Sequence, residues 1–75
     1  MDDLEIRIIG AKEGIVGPLL TRFAKFIQLR FPDCDDSEYI REWATRLRFS
    51  WQCPERFMDR QSIKIYRELC QMEGI

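Results

Sequence analysis

Between Asp35 and Phe49, the apolar residues Tyr39, Ile40, Trp43, Ala44 and Leu47 return at the three- and four-residue steps of one helical face. A β-strand cannot use that spacing. A helix with so broad an apolar face needs other faces to cover it, so this stretch commits the chain to helix-on-helix packing. Glu38, Arg41, Thr45 and Arg48 form the opposite, wetted stripe. Asp35 is placed to cap the first turn, with Glu38 reaching back three residues later as in a capping box. Acids at the start (Asp35, Asp36, Glu38) and arginines at the end (Arg46, Arg48) both suit the helix dipole.

The segments on either side supply partners. Gly17-Pro18 opens a helix, because proline at the first helical position gives up an N–H that has no partner there. Leu20, Phe23, Ala24, Ile27 and Phe31 make one stripe, widened by Leu19 and Phe26. The helix must end near Phe31, because Pro32 disfavours helical geometry in the residue before it. Pro54 starts another helix, in which Met58, Ile65, Tyr66 and Leu69 share a face, Cys70 flanks it, Ser62 interrupts it and Gly74 ends the helix. Asp59 is also a good cap, so this segment is either one long helix or a short turn at Pro54–Met58 followed by a helix from Arg60. At the N-terminus, Leu4, Ile6 and Ile8 alternate with Glu5 and Arg7, which predicts a short strand stopped by Gly10. The competing pattern is helical, with Leu4, Ile8, Ala11 and Ile15 on one stripe and Asp2 with Glu5 as a capping box. The strand is the preferred reading.

The expectation is therefore a mainly α fold. It is a compact three-helix domain, with helices at about residues 18–31, 36–49 and 54–73 and a short N-terminal strand or extra helix, forming a single domain over residues 1–75. Its core should hold Leu20, Phe23, Ile27, Ile40, Trp43, Ala44, Leu47, Ile65, Tyr66 and Leu69.

Several chemistries are unsupported by the residue inventory. There is no histidine, hence neither the commonest general base nor the commonest metal ligand. No catalytic set is visible, and neither a cofactor nor a metal is expected. Gly10–Gly14 (GAKEG) lacks the Lys-Ser/Thr of a phosphate-binding loop and the spacing of a dinucleotide fingerprint, and reads as a turn. Asp33, Asp35 and Asp36 resemble the start of a calcium loop, but the glycine and the distal glutamate at the required spacing are missing. Cys34, Cys53 and Cys70 have no zinc-site spacing, and an odd count without a signal peptide predicts reduced thiols in a cytoplasm. The longest apolar run is too short to span a bilayer, so no membrane partner is expected.

What remains is surface. The net charge is −1, from 12 basic and 13 acidic residues, but the two signs are segregated. Acids gather at residues 2–13 and 33–38, and cations dominate from Arg41 to Arg67. Arg56, Arg60, Lys64 and Arg67 share one helical face, and two helices with a short connection would make a helix-turn-helix that touches nucleic acid through them. The bland alternative is a solvated face with ordinary helical ion pairs. Two Trp, two Tyr and five Phe exceed what a small core holds. Phe31, Phe49, Trp51 and Phe57 are expected at a protein interface.

In size, in lacking catalytic residues and in its free cysteines, the chain resembles the small orphan proteins of phages and mobile elements. No residue is carried over from that likeness. The leading functional expectation is a non-enzymatic interaction or regulatory protein. Its partner would be another protein or a second copy, as a homodimer paired through the N-terminal strand. A helix-turn-helix DNA-binding regulator is the alternative.

Overall fold

The computed structural model describes the backbone of residues 1–50 and 58–72 and the side chains of residues 1–48 and 58–71. Four helices account for about three quarters of these residues: α1 (Asp3–Lys12), α2 (Pro18–Arg30), α3 (Ser37–Ser50) and α4 (Arg60–Met72). The radius of gyration is 11.2 Å, close to the ~11 Å of a compact chain of this length.

The N-terminal segment is a helix, not the strand preferred from its alternation. A lone strand would leave its backbone polar groups without partners, whereas a helix satisfies them internally. Local signals support it. Asp2 Oδ1 accepts from the Glu5 backbone N–H at 2.8 Å, Asp3 and Glu5 stand in the first turn, and Lys12 stands in the last. The inward face carries Ile6 and Gly10, while Leu4 and Ile8 of the anticipated stripe point outward.

Gly10 is thus no strand terminator. A Cβ there would lie 2.8 Å from both Leu20 Cδ1 and Phe23 Cδ2, so its bare backbone is what lets α1 settle on α2. The turn comes four residues later than Gly10. Gly14, at φ 90°, donates to the Ala11 carbonyl (3.1 Å), and Ile15 donates to the Gly10 carbonyl (3.0 Å). This is a Schellman stop, and the residue after the glycine, Ile15, is buried as that motif favours.

α2 begins at Pro18 as expected and ends at Arg30, one residue before Phe31. It packs against each of the other three helices and buries Phe23, Ala24, Phe26 and Ile27. Arg22 is only 5% exposed despite its charge. α3 buries Ile40, Trp43, Ala44 and Leu47 and leaves Glu38, Arg41, Thr45 and Arg48 exposed, in the phase read from sequence. Its cap is Asp36, whose Oδ1 accepts from the N–H groups of Glu38 (3.1 Å) and Tyr39 (3.3 Å). Asp35 lies one position too early for that role. It accepts instead from the Met1 ammonium at 2.9 Å, a hydrogen bond that raises the amine above its ordinary pKa.

α4 has the start that the second of the two readings gives its segment. It starts at Arg60, and Asp59 Oδ1 accepts from the Ser62 N–H at 2.8 Å. Residues 54–57 of the anticipated longer helix lie outside the described residues. Ser62 does not interrupt the buried face but belongs to it: it is fully buried, and its hydroxyl accepts from Arg30 Nε at 3.2 Å. Arg30 also donates to Asp59 Oδ2 at 3.2 Å, so one α2 side chain fixes the first turn of α4.

Of the anticipated core, Phe23, Ile27, Ile40, Trp43, Ala44, Leu47 and Leu69 are buried. Leu20, Ile65 and Tyr66 are half-buried against them. Ile6, Ile15, Ala24, Phe26 and Met58 join the core without having been assigned to it. Among the described residues no helix is long and apolar enough to cross a membrane.

Candidate functional site

The most distinctive surface is an aromatic cluster that begins in the core and emerges at the junction of α2 and α3. Phe26 and Trp43 meet with ring centroids 5.6 Å apart. Trp43 continues to Phe31 at 5.2 Å, and Phe31 meets Tyr39 edge-on, at 5.2 Å and 82°. Exposure rises along this chain. Phe26 is fully buried and Trp43 is 5% exposed, Phe31 is half-buried, and Tyr39 is 39% exposed. Two guanidinium groups frame it: Arg30 lies 4.7 Å from the Phe31 ring centroid, and Arg46 lies 4.7 Å from that of Trp43.

The local structure explains the arrangement. Tyr39, Trp43 and Arg46 stand at i, i+4 and i+7 on α3 and so form one stripe. Phe31 closes α2, its N–H donating to the Ile27 carbonyl at 2.8 Å, and the Pro32 turn holds its ring against that stripe. Arg30 is kept in place by Ser62 and Asp59 while it covers Phe31. The Ser62 backbone N–H, the Ser62 side chain and then Arg30 hold the Asp59 carboxyl below its ordinary pKa.

Such a face is amphipathic. It offers ring edges, a phenol and two stacked guanidinium groups, which already lie over aromatic planes and lose little freedom on binding. Each aromatic pair contributes about 0.5–1.5 kcal/mol beyond the area it buries, so the platform is preorganised by the fold.

Phe31 is therefore the one anticipated interface residue that the described structure places, and it stands in this cluster. Phe49, Trp51 and Phe57 lie outside the residues whose side chains are described. Sequence reasoning assigned Tyr39 to the buried face, gave Arg46 only a role at the helix end, and did not single out Arg30. The i, i+4, i+7 spacing of Tyr39, Trp43 and Arg46 is the signal that could have found the α3 residues, whereas no spacing marks Arg30 on α2.

Arg60, Lys64 and Arg67 are exposed on one side of α4, opposite Leu69. Arg56 lies outside the described residues. The connection of the anticipated helix-turn-helix falls at residues 51–57, which lie outside the described residues.

The remaining features are quieter. A groove of about 260 Å³ between α1 and α3 is lined by Ile9, Lys12, Glu13, Ser37, Glu38 and Arg41. Its charges largely answer one another, with Arg41 at 3.1 Å from Glu38 and 4.0 Å from Glu13. Cys34 and Cys70 are half-buried free thiols. Among the described residues no group of His, Cys, Asp and Glu could hold a metal ion.

Compared with protein-family models, curated proteins and solved structures, the chain matches none of them.

Proposed function

We propose that this is a small non-enzymatic interaction or regulatory protein that binds another protein through the Arg30–Phe31–Tyr39–Trp43–Arg46 face. The observation that carries this reading is a continuous aromatic path running from the core to an exposed tyrosine, edged by two stacked arginines. Tyrosine, tryptophan and arginine are the residue types that dominate binding energy at protein interfaces, above all where they are rigidly held. The free thiols Cys34 and Cys70 fit a reducing, cytoplasmic setting.

The test is affinity capture with the unmodified chain, the Tyr39→Ala variant and the Arg46→Ala variant, with helicity checked by circular dichroism. A partner retained by the first and lost by the variants, at low and at moderate salt alike, is the expected outcome. Equal capture by all three folded proteins would sink the reading.

A second reading, nucleic-acid binding, draws on the shared exposure of Arg60, Lys64 and Arg67 along α4. Binding through such cations falls steeply with salt because counterions are released. Replacing Arg60 and Lys64 by alanine should then flatten the salt slope by about two units. No gel shift of random duplex at low salt would eliminate it.

A further inference from the structure

α1 is apolar on two sides. One side, Ile6 and Gly10, faces α2 and the core. The other, Leu4, Ile8 and Ala11, faces outward, with Leu4 66% and Ile8 46% exposed. At about 100° per residue, these three fall in a stripe about 60° wide. A surface helix normally wets the side away from its core, so an apolar second face points to something that covers it.

The charges along its edge indicate what that is. Glu5 and Lys12, both exposed, lie on the same edge of the stripe, at opposite ends of the helix. The pair Glu5 and Lys12 and the pair Leu4 and Ala11 are each centred beside Ile8. A two-fold axis through Ile8 therefore sets Ile8 on its own copy, Leu4 on Ala11 of the second molecule, and Glu5 on Lys12 in both directions. The opposite edge is already satisfied within the chain, where Arg7 pairs with Asp3 at 2.7 Å and donates to Thr21.

We infer that the outward face of α1 is a self-association surface, on which two copies of this chain pair α1 against α1 in antiparallel register. The surface is separate from the aromatic face and stands independently of it. Asp2, Asp3 and Glu5 at one end of the stripe weigh against an anionic lipid surface as its cover. Two helices of 10 residues make a small contact, at the low end of specific interfaces. The dimer should accordingly form with a dissociation constant of about 10–100 µM.

Sedimentation equilibrium from about 5 to 500 µM, spanning that range, tests this. The mass should climb from 9.0 kDa toward twice that value. Ile8→Glu, at an exposed position that leaves the core intact, should hold it at the monomer. Glu5→Lys and Lys12→Glu should each weaken the dimer at least about tenfold, since each sets two like-charge pairs across the axis. An equimolar mixture of those two variants should dimerise where neither does alone, because every cross-pair is then of opposite sign.

Tyr39→Ala should leave the mass curve unchanged and Ile8→Glu should leave partner capture unchanged, so failure here is distinct from failure of the aromatic face. A mass that stays at 9.0 kDa throughout overturns the inference, whether or not the chain cosediments with vesicles of anionic lipid. So does a dimer indifferent to Ile8→Glu, or a mixture no heavier than its components.

Discussion

Trp43 touches Phe26 and Phe31 through its ring and carries the Arg46 guanidinium on its face. Truncating it to alanine should cost about 3–5 kcal/mol, a large share of the stability of a small domain. A urea midpoint that barely moves would show that the ring is not held as described. Gly10 makes a sharper case, because two effects oppose. Alanine is the better helix former by about 1 kcal/mol. Yet its Cβ would press to 2.8 Å on Leu20 and on Phe23, which is fully buried and has nowhere to retreat. Overpacking costs about 1–3 kcal/mol and should win, so Gly10→Ala is expected to destabilise, and a raised melting temperature would refute the close approach. Trp43 was legible in the sequence because its neighbours on α3 repeat at helical steps. The role of Gly10 was not, because nothing near Gly10 in the chain shows that Leu20 and Phe23 will lie across it. Arg22 and Ser62 hid for a related reason: polar residues are buried only where the fold happens to satisfy them, as Arg30 does for Ser62.

Helix α4 begins where α2 takes hold of it. Asp59 caps the first turn and receives Arg30, and both interactions need its carboxylate ionised or at least accepting. Its pKa is lowered in the fold, so its contribution is complete above the unfolded value, near 3.9, and is lost as pH falls through the lower folded value. Asp59→Asn keeps an accepting oxygen but no charge. The variant should therefore lose less stability than the parent in that acid window, as read from urea midpoints at successive pH values. Asp59→Ala also removes the cap and should cost about 0.5–2 kcal/mol near neutrality. Parallel acid profiles for the parent and Asp59→Asn would mean that the carboxylate is not the group that matters. Elements differed in how readable they were. α2 is bracketed by Pro18 and Pro32, and α3 by an acid cluster and a continuous stripe, so both were plain. α1 carries apolar residues at Leu4, Ile6, Ile8 and Ile9, a pattern that fits a period of two and a period near four alike. Only the missing strand partner and the Asp2 cap separated the two. In the site, Phe31 was named from the excess of aromatic residues over what a small core holds, and Pro32 marked only the end of its helix. Which edge of α3 would stay wet, and hence the exposure of Tyr39, was decided by how α2 lies across it.

At the scale of the molecule, the contacts are unevenly spread along the chain. α1 and α2 are joined by the short Schellman turn at Gly14 and pack at Gly10, whereas α4 meets α2 across a wide separation in sequence, as where Arg30 holds Asp59 and Ser62. Closing a short loop costs less entropy than closing a long one. The close approach at Gly10 thus has a consequence for the order of events in folding. The α1–α2 hairpin should be formed when the barrier is crossed, with α4 docking afterwards. Conservative truncations at Ile6 or Phe23 should slow folding, with φ of about 0.5–0.8, while Leu69→Ala should chiefly speed unfolding, with φ below about 0.3. Equal φ values at the two ends would place α4 in the nucleus. For a helical chain with such near-neighbour contacts, the folding phase belongs in the microsecond-to-millisecond range, so temperature-jump relaxation, not manual mixing, is the instrument that will see it.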